Sequence, residues 1–156
     1  MREIFSDLSE TIKFIQIPKK EKKVVFYSEN KNTWIHLKGL ILEFLKITNT
    51  NVYYISSDKN DPGLSLVNPN FKSFNVGQGY ILNWLFANIE TDVFVMTTPD
   101  LNSFQLKRSK NNVHYLYVQH SLVSLHMGYR EGAFDHFDTI FCAGPHHVSE
   151  MQEIVR

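Results

Sequence analysis

Five short, continuously apolar runs, each closed by an abrupt change to polar residues, constrain this chain more than any other feature. They lie at residues 23–28, 51–56, 92–97, 113–119 and 139–143. Each is too short for a buried helix and rich in β-branched and aromatic residues, so each reads as a strand. Apolar character without alternation means burial on both faces, the situation of a parallel sheet covered by helices. A sixth, weaker run at 71–76 is expected at an edge of the same sheet.

The intervening segments supply the helices. In 33–48 the residues Trp34, Leu37, Ile41, Phe44 and Leu45 recur at helical spacing. Asn32 or Thr33 can cap the first turn, and Asn49 stands where the helix must end. Residues 80–89 place Ile81, Trp84, Leu85 and Ile89 on one face, entered through Gly77-Gln78-Gly79. Asp61-Pro62-Gly63 and Asn68-Pro69 make 58–70 a loop. Gly144-Pro145 opens a final helix with Val148, Met151 and Val155 as its apolar stripe. Strands alternating with helices imply βαβ units, hence an α/β, Rossmann-like parallel sheet with helices on both faces. Residues 1–22 are expected to be an N-terminal extension or linker, and 23–156 the domain. Within the extension, Lys19-Lys20-Glu21-Lys22-Lys23 reads as a solvated linker or a contact with anionic headgroups. Ile12, Phe14, Ile15 and Ile17 are expected to pack on the outside of the domain or to touch a membrane.

A chain of 156 residues suits a single core. Lysine plus arginine equal aspartate plus glutamate at 16 each, so no global charge points to nucleic acid. Cys142 is the only cysteine, which excludes an internal disulfide. Its apolar surroundings read as those of a buried, inert thiol, consistent with a reducing compartment. No apolar stretch approaches the ~20 residues that span a bilayer, and Arg2 and Glu3 do not open a signal peptide.

Six of the seven histidines lie between His114 and His147. His120 stands apart, because it ends a strand where open α/β sheets bind ligands. An imidazole there can serve as a general base near neutral pH. Three strand ends of a parallel sheet emerge on one side: Ser28, Glu29 and Asn30; Thr97, Thr98, Pro99 and Asp100; and His120, with Ser121, Ser124 and His126 after it. Each cluster also has a plain reading. Ser28, Glu29 and Asn30 would end a strand and cap the next helix, Thr97–Asp100 would form a turn, and His120 would be a hydrogen-bonded structural histidine. Spacing argues against a metal site: His114 and His120 are about 20 Å apart along a strand. Adjacent His146 and His147 are expected on the surface of the last helix's first turn. Neither a phosphate-binding loop nor a dinucleotide fingerprint is present, and no cofactor is expected.

Three segments, taken in order, carry a resemblance. They are Val25-Phe26-Tyr27-Ser28-Glu29, Asp92 through Leu101, and Tyr117-Val118-Gln119-His120 continued by Gly144-Pro145-His146-His147-Val148-Ser149-Glu150. With them the chain resembles the CDP-glycerol glycerophosphotransferase family of teichoic-acid and related surface-polymer synthesis. The resemblance implies a GT-B architecture, with this chain as the amino-terminal, acceptor-side domain and a nucleotide-binding domain expected beyond Arg156. It implies that His120 is the base, at the place of the family's Trp-His-Gly motif, with Gln119 and Ser121 replacing its neighbours. Thr97, Thr98, Asp100, Ser121 and Ser124 would line the acceptor side. The implied partners are a CDP-glycerol-type donor held by the other domain and a polyol-phosphate or glycan acceptor. The implied location is cytoplasmic, peripheral to the inner face of the membrane. Two alternatives stand beside this expectation: a non-catalytic module binding a glycan or polyol phosphate, and an epimerase-like GT-B relative.

Overall fold

The computed structural model describes residues 2–154. Six strands form one all-parallel sheet: β1 (Val24–Ser28), β2 (Val52–Ser56), β3 (Phe71–Asn75), β4 (Val93–Met96), β5 (His114–Val118) and β6 (Thr139–Phe141). Their spatial order is β3-β2-β1-β4-β5-β6, the order of the Rossmann fold. The five strong runs and the weak one are all strands, with the weak run at an edge as its composition implies.

Helices α2 (Trp34–Ile47) and α3 (Tyr80–Asn88) cover opposite faces. Alternation along β2 makes the division plain. Tyr53 and Ile55 face Leu82, Leu85 and Phe86 of α3, while Val52 and Tyr54 face Trp34, Leu37 and Ile41 of α2. Four-residue α4 (Leu125–Gly128) and α5 (Pro145–Ile154) enclose a smaller cluster of Tyr117, Leu125, Phe134 and Met151 beside β5 and β6.

The structure refines three expectations. The extension before β1 carries a helix: α1 (Arg2–Gln16) lies against β3 and α3, and its Phe14 is wholly buried among Tyr53 and Phe74. Lys22, assigned to a solvated run, is buried; its ammonium sits 4.9 Å over the Phe14 ring, and burial lowers its pKa. The apolar surface of the β2–β3 edge explains both shifts, because it would face water without this covering. Within 58–70, residues Pro62–Ser65 form a turn of 3-10 helix. Asp61 organises it: its buried carboxylate accepts from the Gly63 amide at 2.8 Å, the Tyr54 hydroxyl at 2.8 Å and the Ser56 hydroxyl at 2.7 Å.

No helix among the described residues is long and apolar enough to cross a membrane. If α1 is part of the core, Phe14→Ala lowers stability by about 3–5 kcal/mol, the usual cost of emptying a buried phenylalanine site. Urea unfolding measures it; a loss below ~1 kcal/mol would mark α1 as a loose appendage.

Candidate functional site

From β1 the chain crosses first to β2 and β3, and later to the other side at β4. The loops leaving β1 and β4 therefore diverge, and a crevice opens over the carboxyl ends of these two strands. Its floor is closed by the paired strands, in register from Val24 opposite Val93 to Phe26 opposite Val95. Its rim is polar because the ladders end there and the buried apolar runs stop with them.

Glu29, exposed at the end of β1, accepts a hydrogen bond from the Thr98 hydroxyl at 3.2 Å. Both line a cavity of about 660 Å³ whose other residues include Asp100, Gln105, Phe104 and Leu106. Asp100 and Asn102 have φ of 63° and 66°, the left-handed region that asparagine and aspartate tolerate better than other side chains. The turn is secured by the Asp100 amide on the Ala133 carbonyl at 2.9 Å and the Asn102 amide on the Leu106 carbonyl at 2.7 Å. Arg130 braces it from the far side, ion-paired to Asp100 and resting 5.0 Å from the centre of the Phe104 ring.

His120 is exposed just beyond β5, on the side of the sheet that α2 covers. Its ring lies 4.8 Å from that of His36, in the first turn of α2, tilted by 48°. Burial of part of the ring, and then the neighbouring His36, lower the His120 pKa; the nearby Val118 carbonyl opposes them. The backbone on either side is also held, since the buried Gln119 amide donates to the Ser121 carbonyl at 2.7 Å. An exposed imidazole at this strand end can accept a proton in its neutral form.

The other proposed site residues divide. Glu29, Thr98 and Asp100 meet in one crevice. Ser28 is buried and donates to the Asn30 carbonyl, while the Asn30 side chain accepts from the Asn32 amide, so both shape the turn into α2. Thr97 is also buried below the rim. Ser121 enters the Gln119 contact through its carbonyl. Ser124 and His126 lie toward α5: Ser124 is the residue before α4, close to Glu150, and the His126 ring lies 3.4 Å from the Glu153 carboxylate. Glu150 also accepts from the Leu125 amide at 2.6 Å. His147, expected on the surface, is fully buried with its Nε2 3.1 Å from the Val123 carbonyl, because this side of α5 packs beneath the loop after β5. Cys142 is half-buried, and desolvation raises its pKa.

Sequence reasoning missed His36, Phe104, Gln105 and Arg130. His36 lay in a helix as an ordinary polar position, and Phe104 in a stretch without periodicity. Only the tertiary pairing of distant segments gives them their place. Comparison with protein-family models, curated proteins and solved structures finds no match to this chain.

Replacing His36 by alanine removes a like charge and opens the ring of His120 to water, and both changes raise the His120 pKa. NMR titration of the imidazole resonances reads it. A value unchanged or lower in the variant would separate the two histidines electrostatically.

Proposed function

We propose that this chain is the acceptor-side domain of a glycerophosphotransferase that draws on CDP-glycerol or a related CDP-polyol. The observation that carries the reading is His120, exposed just beyond the carboxyl end of β5 with its ring against that of His36. The sheet order and the order of the quoted motifs are in keeping with it. In this reaction an acceptor hydroxyl attacks the β-phosphorus of the donor. A new oxygen–phosphorus bond forms, the bond from that phosphorus to the bridging oxygen breaks, and CMP leaves with the electron pair. The hydroxyl proton passes to the unprotonated ring nitrogen of His120.

A positioned base of this kind contributes about 10²–10⁴-fold to rate. Charge on the transferred group is met by donors of a nucleotide-binding domain outside this chain, since phosphoryl transfer depends on positioning and electrostatics. On this reading the enzyme works in the cytoplasm, against the inner face of the membrane that carries its acceptor.

The test measures CMP release from CDP-glycerol by a polypeptide that joins this chain to its nucleotide-binding domain. His120→Ala is expected to lower turnover by about 10²–10⁴-fold with the fold intact by circular dichroism. Turnover at the wild-type rate would return His120 to a structural role. Acceptor binding without any CMP release from the unmutated protein would leave a binding module in place of the transferase.

A further inference from the structure

The segment that carries His120 has little of its own to hold it. Residues 119–124, between β5 and α4, form neither helix nor strand, and Leu122 and Val123 leave 78% and 53% of their surfaces exposed. The hydrophobic burial that fixes the strands therefore does not fix this loop. At its start the Gln119 backbone amide donates to the Phe141 carbonyl of β6 at 2.9 Å, and the Gln119 side chain closes on the Ser121 carbonyl. At its far end Leu125 is buried in the cluster beside β5 and β6. Between these two points the loop is held by α5.

Two residues of that helix reach the loop. The imidazole of His147 is fully buried, and its Nε2 lies 3.1 Å from the Val123 carbonyl. A carbonyl only accepts, so Nε2 carries the proton and donates it. The buried Nδ1 has no hydrogen-bond partner among the described residues, which leaves the Val123 bond as the polar tie of the ring. Three residues on, the Glu150 carboxylate accepts from the Leu125 amide at 2.6 Å, a charge-assisted bond. Positions 147 and 150 share one helix face, so both bonds draw the same segment onto α5. The helix is itself fixed to the sheet, since it follows β6 after three residues and buries Met151 beside Tyr117 and Phe134.

We propose that α5 is the clasp that sets the position of His120, with His147 and Glu150 as its positioning residues. This role rests on the transferase reading where it concerns rate; the placement of the ring does not. With both bonds made, the loop is fixed at the Val123 carbonyl and the Leu125 amide, and His120, just ahead of them, keeps its ring 4.8 Å from that of His36. With them broken, the exposed loop is free to move and carries His120 away from His36. A base that drifts loses rate, because proton transfer requires hydrogen-bond reach. The adjacent pair His146-His147 is thereby divided: His147 turns inward to the loop, and His146 stays exposed.

The first arm of the test is the nuclear Overhauser contact between the imidazoles of His36 and His120 in the 156-residue chain. His147→Leu and Glu150→Ala are each expected to weaken it while the amide shifts of β1 and β4 stay in place. His147→Gln, which keeps a donor at similar reach, is expected to retain it. The second arm is CMP release by the polypeptide that joins this chain to its nucleotide-binding domain. There His147→Leu is expected to lower kcat about 10–100-fold with KM for CDP-glycerol unchanged, and His147→Gln to recover most of the loss. An unchanged contact in both His147→Leu and Glu150→Ala overturns the proposal, and so does a weakened contact with wild-type kcat. If His147→Leu does not fold, Glu150→Ala, at a half-buried position, decides in its place. A contact weakened in the variants, with no CMP release by the unmutated joined protein, would keep the clasp and overturn the transferase instead.

Discussion

Burial of the central strands on both faces is the constraint on which the rest of this structure depends. β2 is buried at every position, and β1 at all but its first. Such strands have no lateral outlet for a polar side chain. Hydrogen-bonding groups therefore collect where the ladders stop, and in a parallel sheet all the carboxyl ends stop on one side. Because the chain reverses its direction of travel between β1 and β4, two of those ends part and leave the crevice. The candidate site is a consequence of sheet burial and strand order together.

The apolar slab needs polar fastenings at its margins, and the structure places them where loops turn inward. Asp61 joins Tyr54, Ser56 and the 3-10 turn through three short bonds. The buried Thr91 hydroxyl donates to the Lys22 carbonyl at 2.7 Å and fixes the approach to β4. Arg108 reaches the Asp138 carboxylate at 3.0 Å, and the same carboxylate accepts from the Tyr115 amide at 2.7 Å, so β5 is tied to the turn before β6. Each supplies a partner to a group that would otherwise lose its water without replacement. The Asp61 bonds fasten the carboxyl end of β2, while those of Thr91 and Asp138 fasten the amino ends of β4 and β6.

The rim itself is divided by the sheet. On the α2 side, His120 is paired with His36. On the α3 side runs a groove of carboxylates and amides, reached from β1 through Glu29. Glu29 and Thr98, bonded across the β1–β4 divide, mark where the two sides meet.

The amino-acid sequence by itself determined the strands, the parallel sheet and the place of His120, because unbroken apolar runs and their polar ends are local signals. It also carried Glu29, Thr98 and Asp100, which follow such runs directly. The inclusion of α1 was not legible, since Phe14 finds its core position only against Tyr53 and Phe74, which come much later in the chain. Nor was the fate of Ser28, Asn30 and Thr97, whose polarity suits a site as well as a turn until burial and bonding are known. His147 reads as surface until the loop after β5 folds over it. His36, Arg130 and Phe104 carry no local mark at all. Their roles arise from contacts between segments far apart along the chain, and such contacts are decided by how helices pack on the sheet, which only the tertiary structure specifies.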